Sequence, residues 1–465
     1  MTECKQQSLS FQAGRREVVA AFDGGSLSSD AGALLLREVE RRTGILERFA
    51  RCFRDHRDPD RIEHPLPQLL AQRVFGIALG YEDLNDHDEL RKDPLFAVVA
   101  GSDDPEGRHR ARRRDGGSAL AGKSTLSRLE LSRPDSASES RYNRIAAEEL
   151  EIDSMMVGVF TNSHAEAPRE IVLDLDTTDD PVHGQQEGRF FHAYYGHYCF
   201  VPLYVFCGEH LLLSRLLPGN ADAREAVLPE LARIVRQIRW VWPEVRIIVR
   251  GDSGFCSDKV LSFCELHGLD YALGMAKNSR LLKKIERAMR KAERGFRRTG
   301  EAARVFRSIS YRTRRSWSRS RRVVAKAEHM ALGSNPRFVV TSIQGAEGDA
   351  QWVYEELYCK RGDMENRIKE QQLDMFSDRT SAASLMGNQL RLYFSGVAYM
   401  LVHGLRRLGL QGTELARAQC GTIRTKLLKV AARVRVTARK VWISMPTAYP
   451  YADLFRRVRL NLLRC

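Results

Sequence analysis

Apolar and polar positions between about 169 and 278 follow an alternation of strand patterns and amphipathic helix patterns. The predicted strands are REIVLDLD, RFFHAYYGHY, FVPLYVFCGEHLLL, VRIIVRGD and DYALGM. The predicted helices have apolar positions three or four residues apart and are AREAVLPELARIVRQIRWVW and KVLSFCELHG. The first three strands follow one another closely, which favours an antiparallel meander. The pattern therefore predicts a mixed α/β sheet.

The flanking segments show mainly helical periodicity, with two exceptions. PRFVVTSI predicts a strand, and ARVRVTARKVWI predicts a basic hairpin, whereas the chain from Tyr358 to about Leu410 predicts helix. We divide the chain into four regions: a helical N-terminal region at 1–165, the first part of an α/β core at 166–278, a basic β-rich insertion at 279–350, and at 351–465 a helix that completes the core and a helical C-terminal region.

Positive charge is concentrated in residues 280–326. This segment contains 18 Lys or Arg residues and three Glu residues, a balance that equals the net charge of +15 of the whole 465-residue chain. One interpretation is a solvated linker. We favour the other, a surface that binds the backbone of nucleic acid and offers aromatic rings for stacking. The candidate contacts are Arg312, Arg314, Arg315, Trp317, Arg319, Arg321 and Arg322.

The cysteines and the apolar segments bear on the cellular compartment. Nine cysteines are scattered without a C-x-x-C pair, which predicts neither a disulfide framework nor a zinc ribbon. The first residues lack the apolar stretch of a secretory leader. The most apolar segment, 396–402, is far shorter than the roughly 20 residues that span a bilayer. We expect a cytoplasmic protein without a membrane partner.

Three aspartates interrupt or end apolar strands. Period-two alternation puts Asp174 and Asp176 on one face of IVLDLD, opposite Leu173 and Leu175. Carboxylates in such a strand are costly unless they are paired or bind a cation. The alternative is that the strand simply ends there. Asp252 follows the strand IIVRG, where binding sites of open α/β sheets gather, although it could equally cap the next helix.

A further carboxylate lies in the later predicted helix ELYCKRGDMENRIKEQQ. Helical periodicity puts Tyr358, Arg361, Glu365 and Lys369 on one stripe beside the apolar stripe. The alternative is a solvated helix in which Glu365 pairs with Lys369. Two strand aspartates and a helical glutamate can converge on two Mg²⁺ ions, which prefer carboxylate oxygens and promote phosphoryl transfer.

The order of these residues resembles a known family. Asp176-Thr177-Thr178, then Gly251-Asp252, then Tyr358-x-x-Arg361-x-x-x-Glu365 is similar to the pattern of DDE insertion-sequence transposases. The segments DLDTTDDPVHGQQEGRFFHAYYGHY and YCKRGDMENRIKEQQLDMFSDRTS resemble one branch, the insertion-sequence family numbered thirteen-eighty. The resemblance covers nearly the whole chain.

This resemblance implies a specific enzyme. It implies an RNase H-like catalytic core, two Mg²⁺ ions for which Mn²⁺ can substitute, and hydrolysis and strand transfer at transposon ends. The implied partners are double-stranded DNA, as transposon ends and target, and a second copy of the chain on that DNA, in the bacterial nucleoid. Region 1–165 is then expected to bind the ends.

The resemblance also assigns roles to residues. It makes Asp176, Asp252 and Glu365 the catalytic carboxylates and metal ligands. Tyr358 and Arg361 become support residues near the DNA phosphates. The family pattern continues to a Lys seven residues after Glu365, where this chain has Gln372. We expect Lys369, on the same stripe, to take that part.

Two other functions stay open on the sequence alone. One is a metal nuclease without strand transfer, and the other is a DNA-binding remnant without catalysis. Asp174 also stays a rival to Asp176 because the two share a face. GSALAGKS matches the nucleotide-binding loop pattern, but it follows the polar RHRARRRDG where that loop needs an apolar strand. We therefore do not assign nucleotide binding.

Overall fold

The computed structural model describes residues 8–13, 15–136, 140, 143–344 and 348–464. The chain folds into two compact units. The first unit contains residues 1–149, 370–377 and 393–465, and the second contains residues 150–369 and 378–392. The predicted regions 1–165 and 351–465 are thus each divided between the two units. The predicted core and insertion lie together in the second unit.

The N-terminal part of the first unit consists mainly of helices, as its periodicity predicted. Its strands are β1 (Leu9–Ala13), β2 (Arg16–Ala20), β3 (Ser26–Ser28), β4 (Phe53–Asp55) and β5 (Ile145–Ala147). Its helices are α1 (Ala33–Thr43), α2 (Ile45–Arg51), α3 (Leu66–Ala78), α4 (His87–Leu90), α5 (Pro94–Val99) and α6 (Lys123–Glu130). Every residue of α3 from Leu69 onward is buried. Because α3 is buried on all sides, including at Gln72 and Arg73, it is part of the core of this unit.

His87, the first residue of α4, has its ring inside this core. Burial lowers the pKa of His87 to about 3, and the positive charge of Arg73 acts in the same direction. Between about pH 6.5 and 3, the unfolded chain binds a proton that the folded ring does not bind. The free energy of unfolding therefore falls as the pH is lowered through this window, by up to about 1.4 kcal/mol per pH unit.

The replacement His87→Gln should remove this part of the acid sensitivity. We expect the variant to lose less unfolding free energy than the unsubstituted protein when urea unfolding is compared at pH 6.5 and 4.5. The replacement His109→Gln, which removes an exposed ring, is the control and should behave like the unsubstituted protein. Equal pH dependence in all three proteins would contradict a neutral buried His87.

The second unit is built on an 11-stranded mixed sheet. Its first elements are α7 (Glu149–Asn162), β6 (Glu170–Thr177), β7 (Asp180–Pro181), β8 (Phe190–His192), β9 (His197–Cys207), β10 (His210–Pro218), α8 (Ala223–Val241), β11 (Arg246–Gly251), α9 (Asp258–Leu266) and β12 (Asp270–Met275). β6, β9 and β10 form an antiparallel meander, and β7 and β8 also pair with β9. β11 is parallel to both β6 and β12. The predicted mixed sheet is confirmed, but two of its expected strands were wrong. RFFHAYYGHY contains β8, a turn and the start of β9, and FVPLYVFCGEHLLL contains the rest of β9, a turn and the first part of β10.

The basic segment continues this sheet. It contains α10 (Ser279–Lys284), α11 (Glu286–Thr299), β13 (Ala303–Tyr311), β14 (Arg321–Met330), β15 (Gly333–Ser334) and β16 (Arg337–Thr341). β16 lies antiparallel between β12 and β14, and β13 follows at the sheet edge. Val323, Ala325 and Val340 are buried in the same apolar core as Leu173. The segment is therefore part of the main sheet, and the solvated-linker interpretation does not hold for it.

The remaining elements begin with a helical stretch of mixed geometry. The stretch consists of α12 (Ala350–Trp352), a π-helical turn (Val353–Tyr358), a 3-10 turn (Cys359–Arg361), α13 (Gly362–Lys369) and a second π-helical turn (Glu370–Asp374). Next come α14 (Leu385–Leu408), α15 (Cys420–Ile423), a π-helical turn (Arg424–Leu428), β17 (Ala432–Val436), β18 (Val441–Ser444) and α16 (Ala452–Arg464). β17 and β18 form the predicted hairpin, and β17 also pairs with β3. The helix expected from Tyr358 to about Leu410 is interrupted between Phe376 and Ser384.

Within the described part of the chain, no helix combines the length and the apolar character needed to cross a membrane. The cysteines at 52, 199, 207, 256, 264, 359 and 420 are free thiols.

Candidate active site

The two aspartates of β6 have different surroundings although they share a face. Asp174 is 3% exposed and pairs with Arg250, which lies opposite it on the neighbouring strand β11. Arg250 Nη2 donates to Asp174 Oδ2 at 2.7 Å, and Nε donates to Oδ1. Asp176, two residues later, lies in a cavity at the end of the strand. Asp174 is thus part of a buried ion pair, and Asp176 faces the open end of the sheet.

Asp252 directly follows β11, the strand beside β6. Its Oδ1 accepts a hydrogen bond from the Gly254 N–H at 2.8 Å and caps a 3-10 turn, Ser253–Phe255. A Cβ at Gly254 would lie 2.9 Å from this oxygen, so glycine permits the close approach. The Asp252 Oδ2 makes no hydrogen bond to any residue within the described ranges. The capping interpretation and the site interpretation are therefore compatible.

Glu365 reaches the same cavity from α13. Arg361, one turn earlier, donates from Nη2 to Glu365 Oε1 at 2.8 Å and from Nη1 to Asp176 Oδ2 at 3.1 Å. The guanidinium therefore bridges the strand and the helix. Glu365 pairs with Arg361 rather than with Lys369, which had been the alternative expectation for a solvated helix. The side chain of Glu365 is 48% exposed, whereas that of Asp176 is 15% exposed.

The cavity has a volume of about 800 Å³, and Asp176, Asp252, Arg361 and Glu365 all line it. Burial raises the pKa of Asp176 to about 7, an effect opposed by Arg361 and strengthened by the charges of Asp252 and Glu365. One guanidinium thus leaves three converging carboxylates incompletely neutralised. Such a site favours additional positive charge.

The donor chemistry of the cavity fits a divalent cation. Carboxylate oxygens from three separate elements are the ligands that Mg²⁺ and Mn²⁺ prefer. Nowhere among the residues described are three His, Cys, Asp or Glu side chains arranged closely enough to hold a metal ion together. In this cavity the Arg361 guanidinium is hydrogen-bonded to both Asp176 and Glu365. The types of residue therefore suit a divalent cation, but an arginine already occupies two of the carboxylates.

The two remaining residues of the predicted stripe differ in position. Tyr358 lines a neighbouring cavity of about 420 Å³ that also contains Asp252 and Arg361. A Cβ at Gly274 would overlap the Tyr358 hydroxyl, so the glycine in β12 makes room for this ring. Lys369, the last residue of α13, is exposed and does not line either cavity. Tyr358 is therefore beside the site, whereas Lys369 is not.

Two members of the predicted DNA-contact set are buried, which corrects that part of the prediction. Trp317 is 4% exposed and packs edge-on against Tyr311, so its ring faces are not available for stacking on bases. Arg321 is 5% exposed and donates to Asp258 and Glu265 of α9. These two side chains join the basic segment to the core of the unit.

The other five predicted contacts have more open positions. Arg312, Arg314, Arg315 and Arg319 are exposed, in the loop between β13 and β14. Arg319 pairs with Glu265, and Arg312 donates to the Trp317 carbonyl. Arg322 is partly buried and bonds to the carbonyls of Ile343 and Gly348. Arg314 and Arg315 are therefore the clearest candidates for contact with a polyanion.

Several cavity residues were not singled out from the sequence. Tyr194 and Tyr195 come from the turn between β8 and β9, and Asp222 and Arg224 from the start of α8. Tyr194 is 86% exposed. The aromatic run RFFHAYYGHY was visible in the sequence, but its strand-like composition gave no indication that the turn inside it faces Asp176.

The cavity thus brings together acidic side chains from the ends of β6 and β11 and from α13. The chain belongs to the family described as Transposase DDE domain group 1, whose model matches residues 11–465. This membership supports a function in DNA transposition, and DDE transposases generally use divalent metal ions.

The chain also aligns with a solved transposase structure. A piggyBac transposase, determined by cryo-EM as a synaptic complex with hairpin DNA, aligns with a TM-score of 0.41 and 10% sequence identity. The alignment covers 86% of this chain and 80% of that chain. Comparison with curated proteins gave no match.

Proposed function

We propose that this chain is the DDE transposase of a bacterial insertion sequence, of the family numbered thirteen-eighty. In this proposal it binds transposon-end DNA and catalyses Mg²⁺-dependent phosphodiester hydrolysis followed by strand transfer. Asp176, Asp252 and Glu365 are the catalytic carboxylates. The observation that carries the proposal is their meeting in one cavity, with Arg361 bonded to two of them.

An RNase H-like core is part of this proposal. The strand order β10–β9–β6–β11–β12 combines three antiparallel strands with two further parallel ones. Asp176 and Asp252 lie at the ends of β6 and β11, the central parallel pair, and Glu365 follows from a later helix. Separate elements thus supply each carboxylate, which supports the proposed core.

Asp176, Asp252 and Glu365 would hold the metal ions. Divalent ions at such a site polarise the scissile phosphate and stabilise charge on the attacking and leaving oxygens. The Gly254 N–H fixes the orientation of Asp252, and without metal Arg361 bridges Asp176 and Glu365. Tyr358, beside Asp252, supports the backbone of a bound strand. Positioning of this kind is the main contribution of the protein to phosphoryl transfer.

Strand transfer separates this proposal from a metal nuclease. The protein should be incubated with Mg²⁺, a supercoiled target plasmid and a linear duplex that carries the flanking sequences of its own gene. We expect cleavage at the end of the element and covalent joining of the released 3′ end to the plasmid. Cleavage without joined product, under conditions that retain the cleaved ends, would favour the nuclease alternative.

The other alternative is a DNA-binding remnant without catalysis. The replacement Asp252→Asn removes one carboxylate charge but keeps the size of the side chain. We expect it to abolish excision of the element in cells while binding of end DNA, measured by gel shift, is retained. A cellular effect that survives this replacement would favour the remnant.

The exposed arginines between β13 and β14 should contribute to DNA binding through charge. The double replacement of Arg314→Gln and Arg315→Gln should make the binding of end DNA less dependent on salt. For each phosphate contact that is lost, the slope of log K against log salt concentration should become shallower by about 0.9. Fluorescence anisotropy with end DNA at several salt concentrations measures this slope. Arg236→Gln, an exposed arginine of α8, is the control, and an equal effect from it would argue against a specific role for this loop.

We also propose that two copies of the chain act together on DNA. Transposition acts on both ends of one element, and a symmetric dimer gives each end an active site. Mass photometry with end DNA should give a species with two protein chains and two duplexes. A complex that contains one chain per duplex at all ratios would contradict this proposal.

A further inference from the structure

Arg361 occupies the position between two of the three carboxylates. Its Nη1 and Nη2 atoms donate to different residues, Asp176 at 3.1 Å and Glu365 at 2.8 Å. The arginine side chain is 19% exposed, so its charge is largely shielded from water. This contact therefore links the end of β6 to α13 through a single cation.

A guanidinium and a divalent metal ion make competing demands on these oxygens. Arginine cannot lose its proton in a protein, so its charge remains in the cavity whatever the pH. Two cations close together in a partly buried site repel each other. The Arg361 guanidinium is hydrogen-bonded to both Asp176 and Glu365, so a metal ion that binds these oxygens must compete with it.

We propose that Arg361 is a resident counter-cation that competes with the divalent metal for Asp176 and Glu365. This inference rests on the proposed function and adds a condition to it: metal binding requires the guanidinium to move away from at least one carboxylate. A DNA backbone phosphate suits the displaced group, because guanidinium and phosphate match in a bidentate geometry. Arg361 is then a positioning residue that makes metal binding and DNA binding mutually favourable.

The test measures metal binding without catalysis. Mn²⁺ is titrated into the full-length, DNA-free protein, and free Mn²⁺ is followed by electron paramagnetic resonance. We expect Arg361→Gln to increase the Mn²⁺ affinity by at least about tenfold, because a competing charge is removed. The matched control is Arg367→Gln. Arg367 lies in the same helix, is 15% exposed and pairs with Glu209 at 3.4 Å away from the cavity, so its replacement should leave the affinity unchanged.

A second replacement keeps the test decisive if Arg361→Gln does not fold, as judged by circular dichroism. Lysine at this position keeps the charge but cannot bridge two carboxylates with separate nitrogens of a planar group. Arg361→Lys should therefore raise the Mn²⁺ affinity by a smaller factor, about threefold. Unchanged or weaker Mn²⁺ binding in a folded Arg361 variant would overturn the inference.

A DNA arm tests the coupling. Addition of a pre-cleaved end duplex should raise the Mn²⁺ affinity of the unsubstituted protein and of Arg367→Gln by about tenfold, but that of Arg361→Gln by much less. An equal increase in all three would overturn the coupling.

Glu365→Gln separates this inference from the proposed function. If Glu365→Gln binds Mn²⁺ with the same affinity as the unsubstituted protein, the proposed metal centre is wrong, and the inference fails with it. If Mn²⁺ binds there but Arg361 variants do not alter its affinity, only the inference fails.

Discussion

The replacement Glu365→Gln is expected to slow the cleavage of transposon-end DNA by roughly a thousandfold or more. The amide keeps the length of the side chain and an oxygen for the bond from Arg361, but it removes the charge of one of the three acidic side chains in the cavity. Single-turnover cleavage with Mg²⁺ measures the rate, and anisotropy measures DNA binding, which should change little. Loss of rate without loss of binding would identify Glu365 as a group needed in the reaction itself.

A matched control is available in the same helical stretch. Glu356 also pairs with a basic residue four positions away, Lys360, at 3.2 Å, and both side chains are more than half exposed. Neither residue lines the two cavities described above. Glu356→Gln should therefore cleave DNA within about twofold of the unsubstituted rate, because exposed pairs contribute little even to stability. Equal losses in both variants would mean that the helical stretch, rather than the Glu365 carboxylate, had been disturbed.

The sequence predicted the three carboxylates as a group but could not separate Asp176 from Asp174 by periodicity. Both residues lie on one face of β6, and alternation contains no further information. Their difference depends on the register of β11, which brings Arg250 beside Asp174. Asp174 and Arg250 are 76 residues apart in the sequence. The register that brings them together depends on how the two strands pair, so neither strand alone reveals it. The pattern Asp-x-Thr favoured Asp176, and the cavity agrees with that preference.

β6, β11, β12, α8 and α9 were predictable because each has a strong local period, whereas the turn that divides FVPLYVFCGEHLLL into β9 and β10 was not predicted. The attachment of β13, β14 and β16 to the same sheet was not predictable, since it depends on the pairing of β16 with β12. The helix of the Tyr358 motif shows a related difficulty. Periodicity assumes 3.6 residues per turn, but this stretch contains a π-helical turn and a 3-10 turn before α13. Arg361 and Glu365 keep their one-turn spacing only because α13 begins directly after the 3-10 turn.

The prediction from charge density, that Trp317 and Arg321 lie on an exposed DNA-binding surface, was wrong. A run of arginines predicts an exposed surface, and most of the run is exposed. Arg321 is the exception because α9 supplies two carboxylates, Asp258 and Glu265, at 2.6 and 2.8 Å. Its guanidinium also lies over the ring of Trp317, with 5.4 Å to the ring centroid. Burial of an arginine requires such partners, and they come from a part of the chain some 60 residues away.

The buried pair of Asp174 and Arg250 is expected to have the largest effect on stability in the second unit. Arg250→Met should lower the free energy of unfolding by about 3–5 kcal/mol, because the Asp174 carboxylate is left buried without its partner. The double variant Arg250→Met and Asp174→Leu should recover most of this loss, since an apolar pair of similar volume replaces the ion pair. Urea unfolding followed by tryptophan fluorescence measures both values.

Arg246→Met is the control for the ion pair, and the double variant separates stability from function. Arg246 lies in the same strand and pairs with Glu170 and Asp270, but its side chain is 35% exposed, so its loss should cost less than about 1 kcal/mol. Arg250 Nη1 also donates to the Leu357 carbonyl, at 2.5 Å, just before Tyr358. The stabilised double variant lacks this bond, so it should still cleave DNA more slowly than Arg246→Met. If it regains full activity along with its stability, Arg250 has no part in positioning the helix that carries Arg361, and its role is confined to neutralising Asp174.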